Sequence, residues 1–105
     1  MSASDRERGD QVDWVEAERR IRQLLARSTA ELDVETVEAV EHYLDHAEYE
    51  MALEGLCIDL LLLADDSKVD WSEAISLGRL LRLDQEQVLD VTLWSRLVER
   101  AARCE

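Results

Sequence analysis

The sequence contains no proline and only three glycines. These residues mark most of the turns between strands, so their scarcity argues against a protein built of hairpins. Leu, Ala, Glu and Arg are abundant instead, and all four favour helix. The composition therefore predicts an all-α fold: a compact single-domain bundle of about five helices, with a central apolar helix over about residues 49–64.

Long apolar runs are also missing. The longest extends from Leu60 to Ala64, whereas a membrane-spanning helix needs roughly 20 apolar residues. Residues 1–10 are polar and mixed in charge, which predicts a mobile N-terminal tail and not a secretory signal or transit peptide. We expect residues 11–105 to form one helical domain and the protein to be cytoplasmic.

The two cysteines, Cys57 and Cys104, do not form a Cys-x-x-Cys pair of the kind that binds metal. We therefore expect two free thiols in a reducing compartment. Glu38, His42 and His46 have a spacing that places metal ligands on one helix face. Histidines near a helix C-terminus are also favoured by the dipole and by nearby acids, and on that ground we expect no metal.

The residue patterns of catalysis are absent as well. The sequence has no glycine-rich phosphate loop and no Gly-x-Ser-x-Gly elbow. Its carboxylates fall mostly on predicted solvated faces, whereas acid–base catalysis needs two in unlike environments. We therefore expect no enzymatic activity and no cofactor. Asp59 interrupts an apolar helix, which predicts a half-buried carboxylate paired with an arginine of another helix.

Helical periodicity divides the chain into five segments. They cover residues 10–28, 33–46 and 49–64, a fourth segment from Asp70 to 81, and a fifth from Asp84 to 103. Asp70 and Asp84 each precede Glu or Gln by three residues, the spacing of a capping box. Trp14 and Trp94 belong to apolar stripes, which predicts that both lie in the core.

Acids outnumber bases by 25 to 12, and the net charge is −13. Residues 31–73 hold fourteen acids and one base, Lys68, whereas the flanking segments are balanced. Carboxylates concentrated in this way repel one another and cost stability, so the pattern predicts a basic protein partner. Nucleic acid is not expected as a direct partner, because its phosphates would be repelled.

The acids of this region predict a first contact cluster on the second helix and a second one around the following loop. Trp71 is included as an exposed aromatic beside that loop, a typical interface anchor. The predicted partner-binding residues are Glu38, Glu41, His42, Asp45, Glu48, Asp65, Asp66, Asp70 and Trp71.

Residues 48–60 read EYEMALEGLCIDL. This segment resembles the pattern Glu-Tyr/Phe-x-x-Ala-Leu-Glu-x-Leu-Cys-x-x-Leu of Maf-type immunity proteins, small helical proteins encoded beside polymorphic bacterial toxins. The resemblance extends more weakly to residues 80–84, where Arg82 stands in place of a glycine that family members tend to have. The apolar residues of the pattern are expected to specify packing of the central helix.

The resemblance implies a cytoplasmic protein that binds and neutralises the toxic domain of a cognate toxin, often a nuclease. A nuclease active site is lined with Lys and Arg, to which an array of carboxylates is complementary. Two alternatives stay open. The acids also suit a regulatory binding module or nucleic-acid mimic that sequesters a basic regulator, and a helical dimerisation domain would explain the fold alone.

Overall fold

The described chain is a succession of helices, joined by short turns in its first half and by longer irregular segments in its second half. In the computed structural model, which describes residues 12–64 and 67–103, they are α1 (Trp14–Ser28), a 3₁₀ helix (Thr29–Glu31), α2 (Val34–Asp45), α3 (Tyr49–Leu60), α4 (Trp71–Leu80) and α5 (Leu93–Arg103). Strands are absent from these two ranges. The predicted all-α single-domain bundle is confirmed. The predicted N-terminal tail, residues 1–10, lies outside the described residues.

Helix α3 is the central element, as predicted, and it packs against all four other helices. Five of its apolar residues are completely buried, and all belong to the pattern of residues 48–60: Ala52, Leu53, Leu56, Cys57 and Leu60. The structure describes no helix in the bundle that is long and apolar enough to cross a lipid bilayer.

Helix α3 ends at Leu60 and not at Ala64 as predicted, because the chain beyond it is held in a turn by Arg100 of α5. The guanidinium of Arg100 donates to the carbonyl oxygens of Leu61 and Leu63 at 3.1 and 2.6 Å, and to that of Ala64 at 2.9 Å. Arg100 thus supplies donors to carbonyl oxygens just beyond the helix end, and the Ala64 oxygen also accepts from the Ser67 amide at 3.0 Å.

Helices α1 and α4 are joined by an ion pair. Arg20 of α1 donates from Nε and Nη2 to the two carboxylate oxygens of Glu73, both at 2.8 Å. The side chain of Asp70 caps α4 by accepting from the Glu73 amide at 3.0 Å, as its spacing predicts. The Glu73 carboxylate does not return to Asp70 as a reciprocal box would require, because it binds Arg20.

Helices α2 and α4 end in the same backbone motif, which reverses the chain direction. The amide of Glu48 donates back to the last turn of α2 at 2.8 Å, and the amide of Leu83 to the last turn of α4 at 2.7 Å. The turns place Ala47 at φ 59° and Arg82 at φ 65°. Glycine adopts this conformation without steric cost, so each of these residues stores about 1 kcal/mol of strain.

Helix α5 begins at Leu93, and the prediction that it starts at Asp84 with a capping box is wrong. The Asp90 carboxylate precedes the helix and accepts from the Thr92 amide at 2.9 Å. Val88 and Val91, which lie within the predicted fifth segment, are 60% and 82% exposed. The predicted first turns of this helix do not form, because the amides of Val88 and Leu89 donate to the side chain of Glu54.

The tryptophans differ from their predicted places. Trp14 is 37% exposed and stacks on Tyr49 with ring centroids 5.5 Å apart, so the prediction that it lies in the core is wrong. Trp94 is half-buried between α4 and α5, beneath Arg79. A Cβ at Gly78 would lie 2.5 Å from its ring, so the glycine permits close approach of the two helices.

Candidate functional site

The outer face of α2 carries four of the predicted contact residues. Glu38, Glu41, His42 and Asp45 are all exposed, at the spacing that places helical residues on one side. The opposite face is buried in the core by Val40 and Leu44. The face is therefore presented by a rigid helix that is anchored from beneath.

Most of these carboxylates are not neutralised. Arg22 of α1 lies 3.1 Å from Asp45 and also pairs with Glu18. Within residues 12–64 and 67–103, no ion pair is formed by Glu38 or Glu41. Asp45 is thus tied to α1, while the other two are exposed to solvent.

Glu48 lies at the corner between α2 and α3. Its amide is used in the turn that ends α2, and its side chain is exposed. Glu50, in the first turn of α3, is exposed as well. Neither carboxylate has an ion-pair partner in the described part of the chain. The exposed Glu38, Glu41 and Glu48 together form a surface that we call the acidic face, and it extends past the end of α2.

The two histidines lie side by side at the C-terminal end of α2. Their ring centroids are 4.2 Å apart, and Nδ1 of His46 lies 2.8 Å from the carbonyl oxygen of His42. No set of three ligating side chains suited to a metal occurs among the residues that the structure describes. We assign His42 to the rim of the acidic face.

Of the second predicted cluster, the structure describes Asp70, which is exposed. Asp70 serves as the N-cap of α4, and it also accepts from the hydroxyl of Ser72 at 2.8 Å. The hydrogen bonds from the Glu73 amide and from Ser72 lower the pKa of Asp70. Asp65 and Asp66, the other members, lie outside the described residues.

Trp71 is a core residue and not an exposed anchor, which corrects the prediction. Its indole is 5% exposed, and the guanidinium of Arg100 lies 5.0 Å from the ring centroid. Arg100 also holds the end of α3, so Trp71 helps to join α3, α4 and α5. The flanking acids made it resemble a surface residue, whereas its buried contacts come from distant segments.

Glu54 is the residue that sequence reasoning missed. It is completely buried on α3, and its carboxylate accepts from the amides of Val88 at 2.5 Å and Leu89 at 2.8 Å. The signal in the sequence is a carboxylate within an almost entirely apolar helix, and it is the same signal that predicts partial burial of Asp59. These two bonds explain why the chain beyond α4 is not helical.

Asp59 has a different partner from the predicted arginine. The hydroxyl of Thr36 on α2 donates to its carboxylate at 2.7 Å, and the residue is half-buried as expected. In the described residues, no arginine pairs with it. Asp59 therefore connects α2 to α3 and does not contribute to the acidic face.

Cys57 offers no chemistry at the surface. Its thiol is free and completely buried in α3. Burial, and to a smaller extent the nearby Glu54 carboxylate, raises the pKa of Cys57 to about 12, so the thiolate needed for nucleophilic attack is not formed at neutral pH. Cys104 lies outside the described residues.

Comparison with protein-family models, with curated proteins and with solved structures gave no match to the chain in any of the three.

Proposed function

We propose that this chain is an immunity protein that binds and neutralises a basic toxin domain, of the nuclease kind, in the cytoplasm. The observation that carries the proposal is the outer face of α2, where Glu38 and Glu41 stand exposed without a neutralising partner in the described residues. The resemblance of residues 48–60 to Maf-type immunity proteins supports the same function.

The physics of inhibition follows from charge and rigidity. Lys and Arg that grip phosphate in a nuclease are attracted to fixed carboxylates, and such attraction raises association rates well above those of neutral partners. Because Val40 and Leu44 anchor α2, little ordering is needed when the face binds. A toxin so covered no longer reaches its phosphate substrate.

Co-expression with the toxin domain encoded beside this chain tests the proposal. We expect the chain to rescue growth, and we expect Glu38→Lys, Glu41→Lys and Glu48→Lys together to abolish rescue. The matched control reverses charge at three other exposed acids, Glu31, Asp84 and Glu99, and should leave rescue intact. Circular dichroism of both variants establishes that the helices are retained.

The outcomes separate the functions. Rescue by the chain and by the control, but not by the acidic-face variant, supports direct neutralisation. Rescue by all three proteins contradicts the assigned face. A toxic neighbour that the unaltered chain does not neutralise contradicts the immunity function, and salt-sensitive binding to a basic DNA-binding regulator would then favour the sequestering alternative.

A further inference from the structure

A cleft of about 520 Å³ lies between the corner after α2 and the corner after α4. Its walls include Ala47 and Arg82, the two residues with positive φ. Apolar side chains of Met51, Leu81 and Val88 line it as well. The cleft therefore joins two turns that are distant in sequence around an apolar lining.

The side of the cleft that Val88 forms is fixed by the buried carboxylate of Glu54. A buried carboxylate costs several kcal/mol unless its hydrogen bonds offset the loss of water, and in the described chain its acceptors are filled by the amides of Val88 and Leu89. The side chains of these residues are nonetheless 60% and 42% exposed. The fold thus fixes two aliphatic side chains in contact with water.

The opposite side of the cleft, formed by Ala47 and Met51, is also fixed by the fold. Ala47 holds a strained turn at the end of α2, and Met51 follows on the first turns of α3, the best-packed helix. Fixed walls reduce the entropy that a bound segment must overcome. An apolar lining that is rigid and half open to solvent is suited to receive an aliphatic group.

Charge selects the kind of segment. Glu48, Glu50 and Glu86 line the cleft, and all three are exposed, whereas the cationic side chain there is Arg82. Lys and Arg pack their aliphatic stems on apolar surface while their charged ends meet carboxylates. An acidic peptide or a nucleic acid would be repelled by the three glutamates.

We propose that this cleft is a docking site for a basic amphipathic segment of the protein partner, one that places aliphatic side chains on Met51, Leu81 and Val88 and Lys or Arg side chains on the glutamates. The proposal rests on the proposed function for the identity of the partner, and on the cleft alone for its chemistry. It adds an apolar, specific contact to the electrostatic attraction of the acidic face.

The test uses the full chain labelled with ¹⁵N and a synthetic helical peptide of Leu and Lys, roughly 14 residues long so that it forms about four turns. We expect the amides at 47–51 and 81–88 to shift on titration. Val88→Asn should weaken binding of the peptide about tenfold, because it removes an apolar contact from the wall of the cleft. Val34→Asn is the matched control, since Val34 is 71% exposed on α2, and it should bind as the unaltered chain does.

Two further arms separate a built cleft from general acidity. Glu50→Gln with Glu86→Gln should weaken binding about tenfold, whereas Asp84→Asn with Glu99→Gln should change it less than about twofold. A peptide with Ser in place of Leu keeps the charge and should bind about tenfold more weakly. Equal binding of the Ser peptide, or shifts confined to the outer face of α2, would overturn the proposal.

The peptide assay needs no toxin, so it fails or succeeds independently of the immunity function. Loss of rescue with the acidic-face variant, together with absence of peptide binding at the cleft, would leave the function standing and remove this inference. Peptide binding at the cleft without rescue of a toxic neighbour would support this inference and contradict the immunity function. Val88→Asn in the rescue assay then shows whether the toxin uses the cleft.

Discussion

The carboxylate of Glu54 binds two successive backbone amides, those of Val88 and Leu89, from inside the core. Hydrogen bonds to a charged acceptor contribute about 1.5–3 kcal/mol each. Both amides belong to residues 84–92, which form no helix. One side chain of α3 therefore fixes the middle of the segment between α4 and α5.

Replacing Glu54 by Gln should lower the free energy of unfolding by about 2–3 kcal/mol, because the amide group offers one acceptor oxygen in place of two and brings an N–H toward a donor. Urea denaturation measures the change. Glu50→Gln is the matched control on the same helix: Glu50 is exposed, so its replacement should change stability by less than about 0.5 kcal/mol. Equal effects of the two changes would contradict the role assigned to Glu54.

Asp70 provides a pH-dependent contribution at the residue scale. Its pKa is lowered in the folded protein by hydrogen bonds from the Glu73 amide and Ser72. The stability it adds is therefore present above the unfolded pKa of about 3.9 and is lost as the pH falls through the lower folded pKa.

Asp70→Asn keeps a capping side chain but removes the titration. We expect the unaltered chain to exceed this variant in stability at pH 7 by roughly 1 kcal/mol, because the exposed cap is screened by solvent, and the gap to close as the pH falls through the lowered pKa of Asp70. Thermal unfolding across this range measures it. Asp70→Ser, a second cap that does not titrate, should show the same pH dependence as Asp70→Asn. A gap that is constant with pH would contradict the assignment.

At the scale of elements, the two helical glycines of the described chain differ in what surrounds them. A Cβ at Gly78 would lie 2.5 Å from the ring of Trp94, whereas a Cβ at Gly55 would meet Tyr43 at 3.9 Å, an ordinary contact. Gly78 therefore sets the distance between α4 and α5. Gly55 has no such steric role.

Gly78→Ala should destabilise the protein by about 1–3 kcal/mol, since α5 must shift to admit the methyl group. Gly55→Ala should instead stabilise it by about 0.5–1 kcal/mol through helix propensity. Each substitution adds one methyl group, so the pair controls for composition, and urea denaturation measures both. Two changes of the same sign would refute the assigned contact with Trp94.

At the scale of the whole molecule, the acidic face opposes folding of the free protein. Like charges three or four residues apart on a helix repel by a few tenths of a kcal/mol, and Glu38 and Glu41 have this spacing. A surface that costs stability and is complementary to a partner is the pattern expected of a binding site.

Neutralising the acidic face with Glu38→Gln, Glu41→Gln and Glu48→Gln should therefore raise the free energy of unfolding by about 0.5–1 kcal/mol and at the same time reduce toxin rescue. Thermal unfolding and the growth assay are measured on the same variant. Glu31→Gln, Asp84→Asn and Glu99→Gln change the net charge equally and should leave rescue intact. A triple Gln variant that is less stable, or that rescues fully, would contradict the trade-off.

The class of fold and the position of the central helix follow from local patterns in the sequence. Helical periodicity is local, so the apolar stripes at Ile21, Val40 and Leu53 place these residues in the core without knowledge of their neighbours. The same periodicity placed Glu38 and Glu41 on an outer face, because burial of one side of a helix exposes the other.

Which polar groups meet depends instead on how distant segments pack together. The pairing of Arg20 with Glu73, the cap of Arg100 on the end of α3 and the bonds from Glu54 join residues far apart in sequence. No local pattern encodes such pairs. For this reason the predictions that α5 starts at Asp84 and that Trp71 is exposed were wrong, and the cleft was not predicted. Backbone amides that donate to a distant side chain are not available for the hydrogen bonds of a helix. In the segment after α4, the amides of Val88 and Leu89 donate to Glu54 of α3.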